Sequence, residues 1–414
     1  MARLTRAQQQ ERTRAEVLVA ARQEFAEHGY GDAKIDRIAD RAELTRGAVY
    51  SNFTGKRALY LAVLADAAEQ ARDHAEPPLE SPESPGAALG AFARVWLERL
   101  PFAGDTPGNG HLQLRSLSGV LDTEPARATL AELVRLEALL LAPALEPHTP
   151  LRTRTVRLAE LTLTLLHGAA GLAENAPGTG DPFDLARAAE HLAGIGPIDD
   201  SPPPHLPFVA PARPAQDEWA APQGLRDEVT GRQIGLDEDG VVVVLGVRRL
   251  SAAEEALRSA RPYGDEVTLV VVTSDPAELG RLARLRITDL VGCLRRVFAP
   301  AELPRLRIVF DDTGRVPAAI GREAADDWTE LAIRVRDGLI VARAEGRGAG
   351  HAVADHGRVH ADGRGADHTA ADHSSHGGGA QPDADADPDP STDPRADATR
   401  PQRERPASGD SPRR

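Results

Sequence analysis

Cysteine is almost absent from this chain: Cys293 is the only one in 414 residues. No internal disulfide can form and no CxxC pair exists, so a lone buried thiol is the plain reading. Lysine is nearly as scarce. Lys34 and Lys56 are the only two, and arginine does all the other basic work. No apolar run approaches membrane-spanning length, and the first residues hold no apolar leader-like stretch. No membrane partner is therefore expected, and the cytoplasm is the expected compartment. Basic residues are outnumbered as well. The 49 Lys and Arg stand against 63 Asp and Glu, a formal net charge of −14, which taken alone argues against a nucleic-acid partner.

The charge is unevenly spread. Residues 1–60 hold eleven Lys and Arg and eight Asp and Glu, a local excess of +3. A basic end on an acidic chain is the footprint of a DNA-binding head. The length allows two or three domains, and 32 prolines and 37 glycines point to linkers or a loose segment.

Periodicity divides the chain. Val17, Leu18, Ala21 and Phe25 recur at helical spacing over 10–28, with Gly29 as the stop. Ile35, Ile38, Ala39 and Ala42 mark a second short helix. Glu43-Leu44 form a turn, and Thr45 is a good N-cap for a third helix through Asn52. After Gly55 a longer helix runs from Lys56 to about His74. The pattern stays helical to residue 195, with helices expected over 87–100, 111–121, 124–145, 151–174 and 183–194. The helix at 151–174 is apolar nearly all round, which suits a core or a subunit interface.

The character then changes. Residues 196–216 are proline-rich and read as a linker. "GVVVVLGVR" and "EVTLVVVTSD" read as strands buried on both faces, and "RLRIVFDDTG" as a third. Residues 329–346 read as a hairpin turning at Asp337-Gly338. This is an α/β unit of roughly a hundred residues. From 347 onward apolar residues fade and the chain reads as a disordered tail rich in His, Asp and Pro. Six histidines there (His351, His356, His360, His368, His373 and His376) could ligate a metal. Their irregular spacing favours a solvated tail, so no metal or cofactor is expected.

Helix, short turn, helix is the spacing of a helix-turn-helix, whose second helix enters a major groove about 12 Å wide. Gly47 and Ala48 let the backbone approach DNA. Arg46, Tyr50, Ser51 and Asn52 offer base or phosphate contacts, Thr45 caps the helix, and Lys34 and Lys56 are placed as phosphate contacts. Phe53, Leu44 and Val49 are expected core.

"AARQEFAEHGYGDAKIDRIADRAELTRGAVYSNF" and "GKRALYLAVL" resemble the N-terminal domain of the TetR/AcrR family of regulators, with Tyr50, Phe53, Lys56 and Leu59 on its characteristic positions. Glu43 stands where that family usually has Gly, and Arg57 where an acidic residue is common. The resemblance implies a ligand-released repressor acting as a homodimer. It implies a DNA-binding head at 1–60 and a helical ligand-binding and dimerisation domain at 61–195, whose last two helices pair across the dimer. Double-stranded DNA with a pseudo-palindromic operator and a small-molecule inducer would be its partners. Phe92, Trp96, Phe102, His111 and His167 could line the inducer pocket, with plain core the blander reading.

Residues 217–346 resemble a thioredoxin-like α/β domain. No cysteine follows the first core strand, where a redoxin needs its thiolate, and no proline precedes the third. The chain is accordingly not expected to be an enzyme. The alternatives from other classes are a thiol enzyme with a regulatory DNA-binding head, acting as a one-cysteine peroxidase through Cys293, and a metal-responsive regulator working through the tail.

Overall fold

A computed structural model describes residues 5–100, 116–149, 153–176, 178–196, 199, 202–303 and 306–356. Phe102 and His111 lie outside the described residues, as do His360, His368, His373 and His376.

The head is four helices. α1 (Arg6–Asp32) starts at a capping box in which the Thr5 side chain accepts from Gln8 N and the Gln8 side chain returns to Thr5 N. Gly29 does not end it. At φ 66° it kinks the helix, and one further turn follows. α2 (Ile35–Arg41), α3 (Arg46–Asn52) and α4 (Lys56–Asp73) come next. Val17, Phe25, Ile38, Val49, Phe53 and Leu59 close the core among them. Phe25 meets Tyr60 edge-on, with ring centroids 4.9 Å apart.

A helical body follows: α5 (Pro85–Leu97), α6 (Glu124–Leu145), α7 (Val156–Asn175) and α8 (Pro182–Leu192). Of the helix expected over 111–121, residues 111–115 lie outside the described residues, and 116–121 are not helical: they form a turn at 118–120 that leads into α6. α7 explains its own all-round apolarity. Leu158, Leu163, Leu166 and Ala169 face the core, while Leu161 and Leu172 stand out on the other side.

The segment expected to be a linker is anchored instead. Asp199 is buried, accepts from Val156 N and pairs with Arg154 and Arg258. His205 bonds Glu255 at 2.9 Å. The chain then becomes β1 (Arg213–Glu218), an edge strand antiparallel to the last strand of the sheet, with an irregularity beside Pro214. Pro214 is tolerated there because an edge strand can spare one N–H.

The α/β unit contains a small hairpin, β2 (Leu225–Arg226) and β3 (Gln233–Ile234), and a six-stranded sheet. Its core strands are β4 (Gly240–Gly246), β5 (Val267–Val272), β6 (Leu306–Phe310), β7 (Glu330–Arg336) and β8 (Leu339–Glu345). The order is β1-β8-β7-β4-β5-β6. β4, β5 and β6 run parallel, while β7 is antiparallel to β4 and to β8. Asp337 and Gly338 both have positive φ, 50° and 73°, as a tight hairpin turn demands.

Alternation along β4 sends Val241, Val243 and Leu245 to one face and Val242 and Val244 to the other. The first face is covered by α9 (Ala253–Ala260), α10 (Arg281–Val297) and a helix at 349–356, here α12. The second packs on Trp219, Leu225, Leu236 and Val316, the last from α11 (Arg315–Ile320). α12 corrects the expectation that order is lost at 347. Val353 and Ala354 are buried, and His351 bonds Ser259 at 2.6 Å.

The head, helical body and α/β unit share one continuous core and belong to one compact unit, Met1–Gly365. α10 lies against α4, α5 and α6, and the seam is rich in arginine. Arg286 of α10 holds Glu137 of α6 through two bonds of 2.7 Å, with the His167 ring nitrogen 3.1 Å from the same carboxylate. Arg99 pairs with Asp289, and Arg72 with Glu228. The expected pocket residues Phe92, Trp96 and His167 are thus packed core or members of this seam.

Burial by itself would raise the Glu137 carboxyl, but Arg286 and His167 outweigh it and hold it at about 2. Burial pushes His167 below its ordinary 6.5. Both folded values lie below the unfolded ones, so both groups stabilise at neutral pH and lose that contribution on acidification. His167 gives way as pH falls below 6.5, and Glu137 between 4.5 and about 2. Urea unfolding of the full chain should show this two-step acid loss. Glu137→Gln should cost about 3 kcal/mol by stranding Arg286, and Glu137→Leu with Arg286→Met should recover most of it.

Candidate nucleic-acid interface

The placement of α3 begins with a carboxylate it does not touch. Glu24, on α1, is fully buried. Its Oε1 accepts from Lys34 N at 3.0 Å and from Arg37 Nε at 2.5 Å, and Oε2 lies 3.4 Å from Arg41. One acidic side chain thus fixes the start of α2 and both of its arginines. The buried charge is tolerable because two donors meet Oε1 and the Arg37 and Arg41 guanidinium groups neutralise it, while Oε2 itself has no hydrogen-bond partner. Sequence reasoning missed this group, since a glutamate on an apolar helix face reads as a surface residue.

α2 then hands over to α3 through a turn in which Glu43 takes φ 54°. This is the left-handed conformation, which explains why glycine suits the position. Thr45 caps α3 by accepting from Ala48 N at 3.2 Å. Val49 and Phe53 point inward, 1% and 2% exposed, and pin the helix to the head. Leu44, expected as core, is only half-buried. Phe53 lies between two guanidinium groups, Arg14 at 4.9 Å and Arg281 at 5.5 Å from its ring centre. Arg281 belongs to α10, so the α/β unit touches the floor of the head directly.

The other face of α3 is open. Lys34, Thr45, Arg46, Gly47, Tyr50 and Ser51 are exposed, and Ala48 and Asn52 are half-buried. A Cβ on Gly47 would approach only Thr45 Oγ1, at 3.8 Å, so space above this turn is free. Arg46 lies 5.5 Å over the Tyr50 ring and 3.3 Å from Asp36. The Tyr50 bond comes first, then Asp36, in raising the arginine above its ordinary value, which keeps it a fixed cation. Ser51 and Asn52 both donate to Ala48 O at 2.9 Å. Their hydroxyl and amide donors are spent on the helix itself in this arrangement.

Lys56 differs from a free phosphate clamp. Its Nζ donates to Gly31 O at 2.8 Å and lies 4.9 Å above the Tyr30 ring. Burial, partly offset by Asp32 and Glu24, lowers it from the ordinary lysine value. Gly55, which precedes α4, supplies no side-chain cap, leaving amides at that helix start open to an acceptor. Next to it Arg57 is not a surface residue. It bridges Asp122, at 2.5 Å, and Glu278, at 3.1 Å.

The only metal-type group among the described residues is Glu24, Glu27 and His28. Arg37 and Arg41 already neutralise its carboxylates, so it is a structural network. Cys293 is buried on α10 and 5% exposed.

Residues 17–63 match the family model described as bacterial regulatory proteins, tetR family. The chain is also similar over a short length to curated regulators. The chain is 48% identical over 65 residues to the HTH-type transcriptional regulator SrpR of Pseudomonas putida, covering 16% of this chain and 30% of that one. It is 45% identical over 51 residues to the HTH-type transcriptional activator FasR of Mycolicibacterium smegmatis, covering 12% and 23%. A transcriptional regulator structure from Rhodococcus sp. RHA1 superposes on 44% of this chain and 94% of its own at 22% identity. Its TM-score of 0.32 is too low to bear on function. The matched stretch is thus a tetR-family helix-turn-helix head, and the chain spans less than a third of the length of the two curated regulators it matches.

The Glu43 conformation gives a direct test. Glu43→Gly removes the left-handed strain and should stabilise the α2–α3 turn by up to about 1 kcal/mol. Hydrogen exchange should then slow at the α2 and α3 amides, while Glu43→Val should speed it.

Proposed function

We propose that this chain is a homodimeric transcriptional regulator that binds a pseudo-palindromic operator in double-stranded DNA and is released from it by a small molecule. The observation that carries the reading is α3. Its inner face is pinned by Val49 and Phe53, and its outer face presents Arg46, Gly47 and Tyr50 to solvent within the stretch that matches the family model. Seven residues make a helix of roughly 10 Å, short enough to lie across a major groove. Arg46 and Tyr50 are the base-reading side chains in this account. Lys34 and Lys56 hold phosphate, Lys56 by exchanging the Gly31 carbonyl for a phosphate oxygen. Gly47 and Ala48 allow close approach, Thr45 fixes the helix start, and Ser51 and Asn52 complete the contacting face.

The exposed side of α7 and α8 supports the dimer. Leu161, Leu172 and Phe183 are 41%, 55% and 75% exposed, and Gly168 and Gly171 leave open space between the leucines. Apolar side chains beside bare backbone suit a second helix pair. Two heads related by a two-fold axis would read half-sites about 34 Å apart.

The α/β unit is read as redoxin-like in arrangement, with a central parallel strand flanked by an antiparallel hairpin, and without redox chemistry. The thiol-enzyme alternative is not favoured, because Cys293 is sealed in the seam rather than placed where the parallel strands end. Repressor is the sign proposed.

Gel shifts across a salt series on DNA flanking the gene test this reading. Wild type should prefer one fragment. Lys56→Ala should weaken binding to every fragment and flatten the salt slope by about one contact. Tyr50→Ala should lose discrimination between that fragment and random DNA. Equal, weak binding by all three proteins would contradict the reading. Leu172→Glu should yield monomers in sedimentation and abolish tight operator binding.

A further inference from the structure

Three parts of the chain meet around a cavity of about 280 Å³ where α4 begins. Leu61 comes from α4, Val120 from the turn before α6, Ala126 from the first turn of α6, and Leu279 and Leu282 from the α/β unit. The walls are mainly apolar, and the size lies at the small end of ligand sites, roughly 300 Å³. Arg57 stands at the rim. Its two terminal nitrogens are engaged by Glu278 and Asp122, but its Nε is buried and has no acceptor. Nε has essentially no accessible surface, so a visitor meets Arg57 through its terminal nitrogens, each of which carries two N–H donors. The surroundings also select the charge of the visitor. Asp275 and Glu278 line the cavity, and Asp122 and Glu278 pair with the one guanidinium there. A further anion would be repelled, whereas a neutral acceptor would not.

We propose that this cavity is an effector site for a small, neutral, mainly apolar molecule whose one polar atom, such as a ketone or ester carbonyl oxygen, lies at the Arg57 end. The effect on DNA follows from position and rests on the regulator reading above. Arg57 adjoins Lys56 at the start of α4, and α4 follows α3 after three residues. Opposite it, Arg281 of the α/β unit donates to Ala58 O at 3.0 Å and lies over Phe53, one residue beyond α3. A ligand wedged between Leu61 and Leu282 loosens the Glu278 and Arg281 ties and frees the start of α4 to shift. The site needs the α/β unit to close it, which gives that unit a role in control without chemistry of its own.

The test uses the full-length protein, with 2-octanone as the neutral probe and octanoate as the anionic one. Calorimetry should show 2-octanone binding wild type at one site, about tenfold more tightly than octanoate. Ala126→Phe, which fills the cavity, should weaken 2-octanone about tenfold or more; Ala126→Leu serves the same purpose if the larger side chain prevents folding. No binding of 2-octanone, binding unaffected by either substitution, or preference for octanoate would each overturn the site. Saturating 2-octanone should change operator affinity of wild type about fivefold or more and leave Ala126→Phe unchanged. Binding without that change would overturn the coupling. If wild type prefers no DNA sequence while 2-octanone still binds in an Ala126-dependent way, the site stands and the regulator reading is what fails.

Discussion

α4 is enclosed along most of its length, and only its last turn, at Gln70, Ala71 and Asp73, is exposed. Ten of its eighteen residues are buried, from Ala58 through Arg72, because the head packs on one side of it and α10 along another. Polar ties hold both ends. Arg57 reaches Glu278 at the start, and at the far end the fully buried Arg72 side chain donates to Glu228 at 3.1 Å. Glu228 in turn accepts from Arg284 of α10. Protein interiors are packed as tightly as molecular crystals, so a helix enclosed this way moves only with its neighbours. Since α3 is joined to α4 by three residues, the α/β unit bears on the reading helix through α4.

The same enclosure accounts for the chemistry of the seam. Packing two amphipathic bodies together brings charged rims into the interior, and these must be paired there. Arginine suits the task, since its planar fork meets a carboxylate through two bonds, as Arg286 does with Glu137 and Arg248 with Glu124. The two lysines of the chain, Lys34 and Lys56, both lie in the head and take no part in the seam.

Much of the local structure was legible in the sequence. The cap at Thr45, the inward spacing of Val49 and Phe53, the doubly buried strands and the turn at Asp337-Gly338 all follow from nearest-neighbour physics, and the structure has each of them. What stayed hidden depends on distant residues. The apolar stripe of α10 announces burial without naming α4 as its partner. Proline-rich composition suggested a tether at 196–216, but β8 offers an open edge that β1 fills. Glu24, Arg37 and Arg57 look like surface charges until the fold brings their partners to them. On the reading face the residue types were legible, but the engagement of Lys56 with Gly31, and of Ser51 and Asn52 with Ala48, was not.

The most direct test of the account is methylation interference at guanine N7 on the bound operator, because that atom lies only in the major groove. The account requires interference at two clusters related by a two-fold axis, centred about 34 Å apart on one side of the duplex. Interference confined to one cluster, or none at all with binding intact, would contradict a paired α3 in adjacent major grooves.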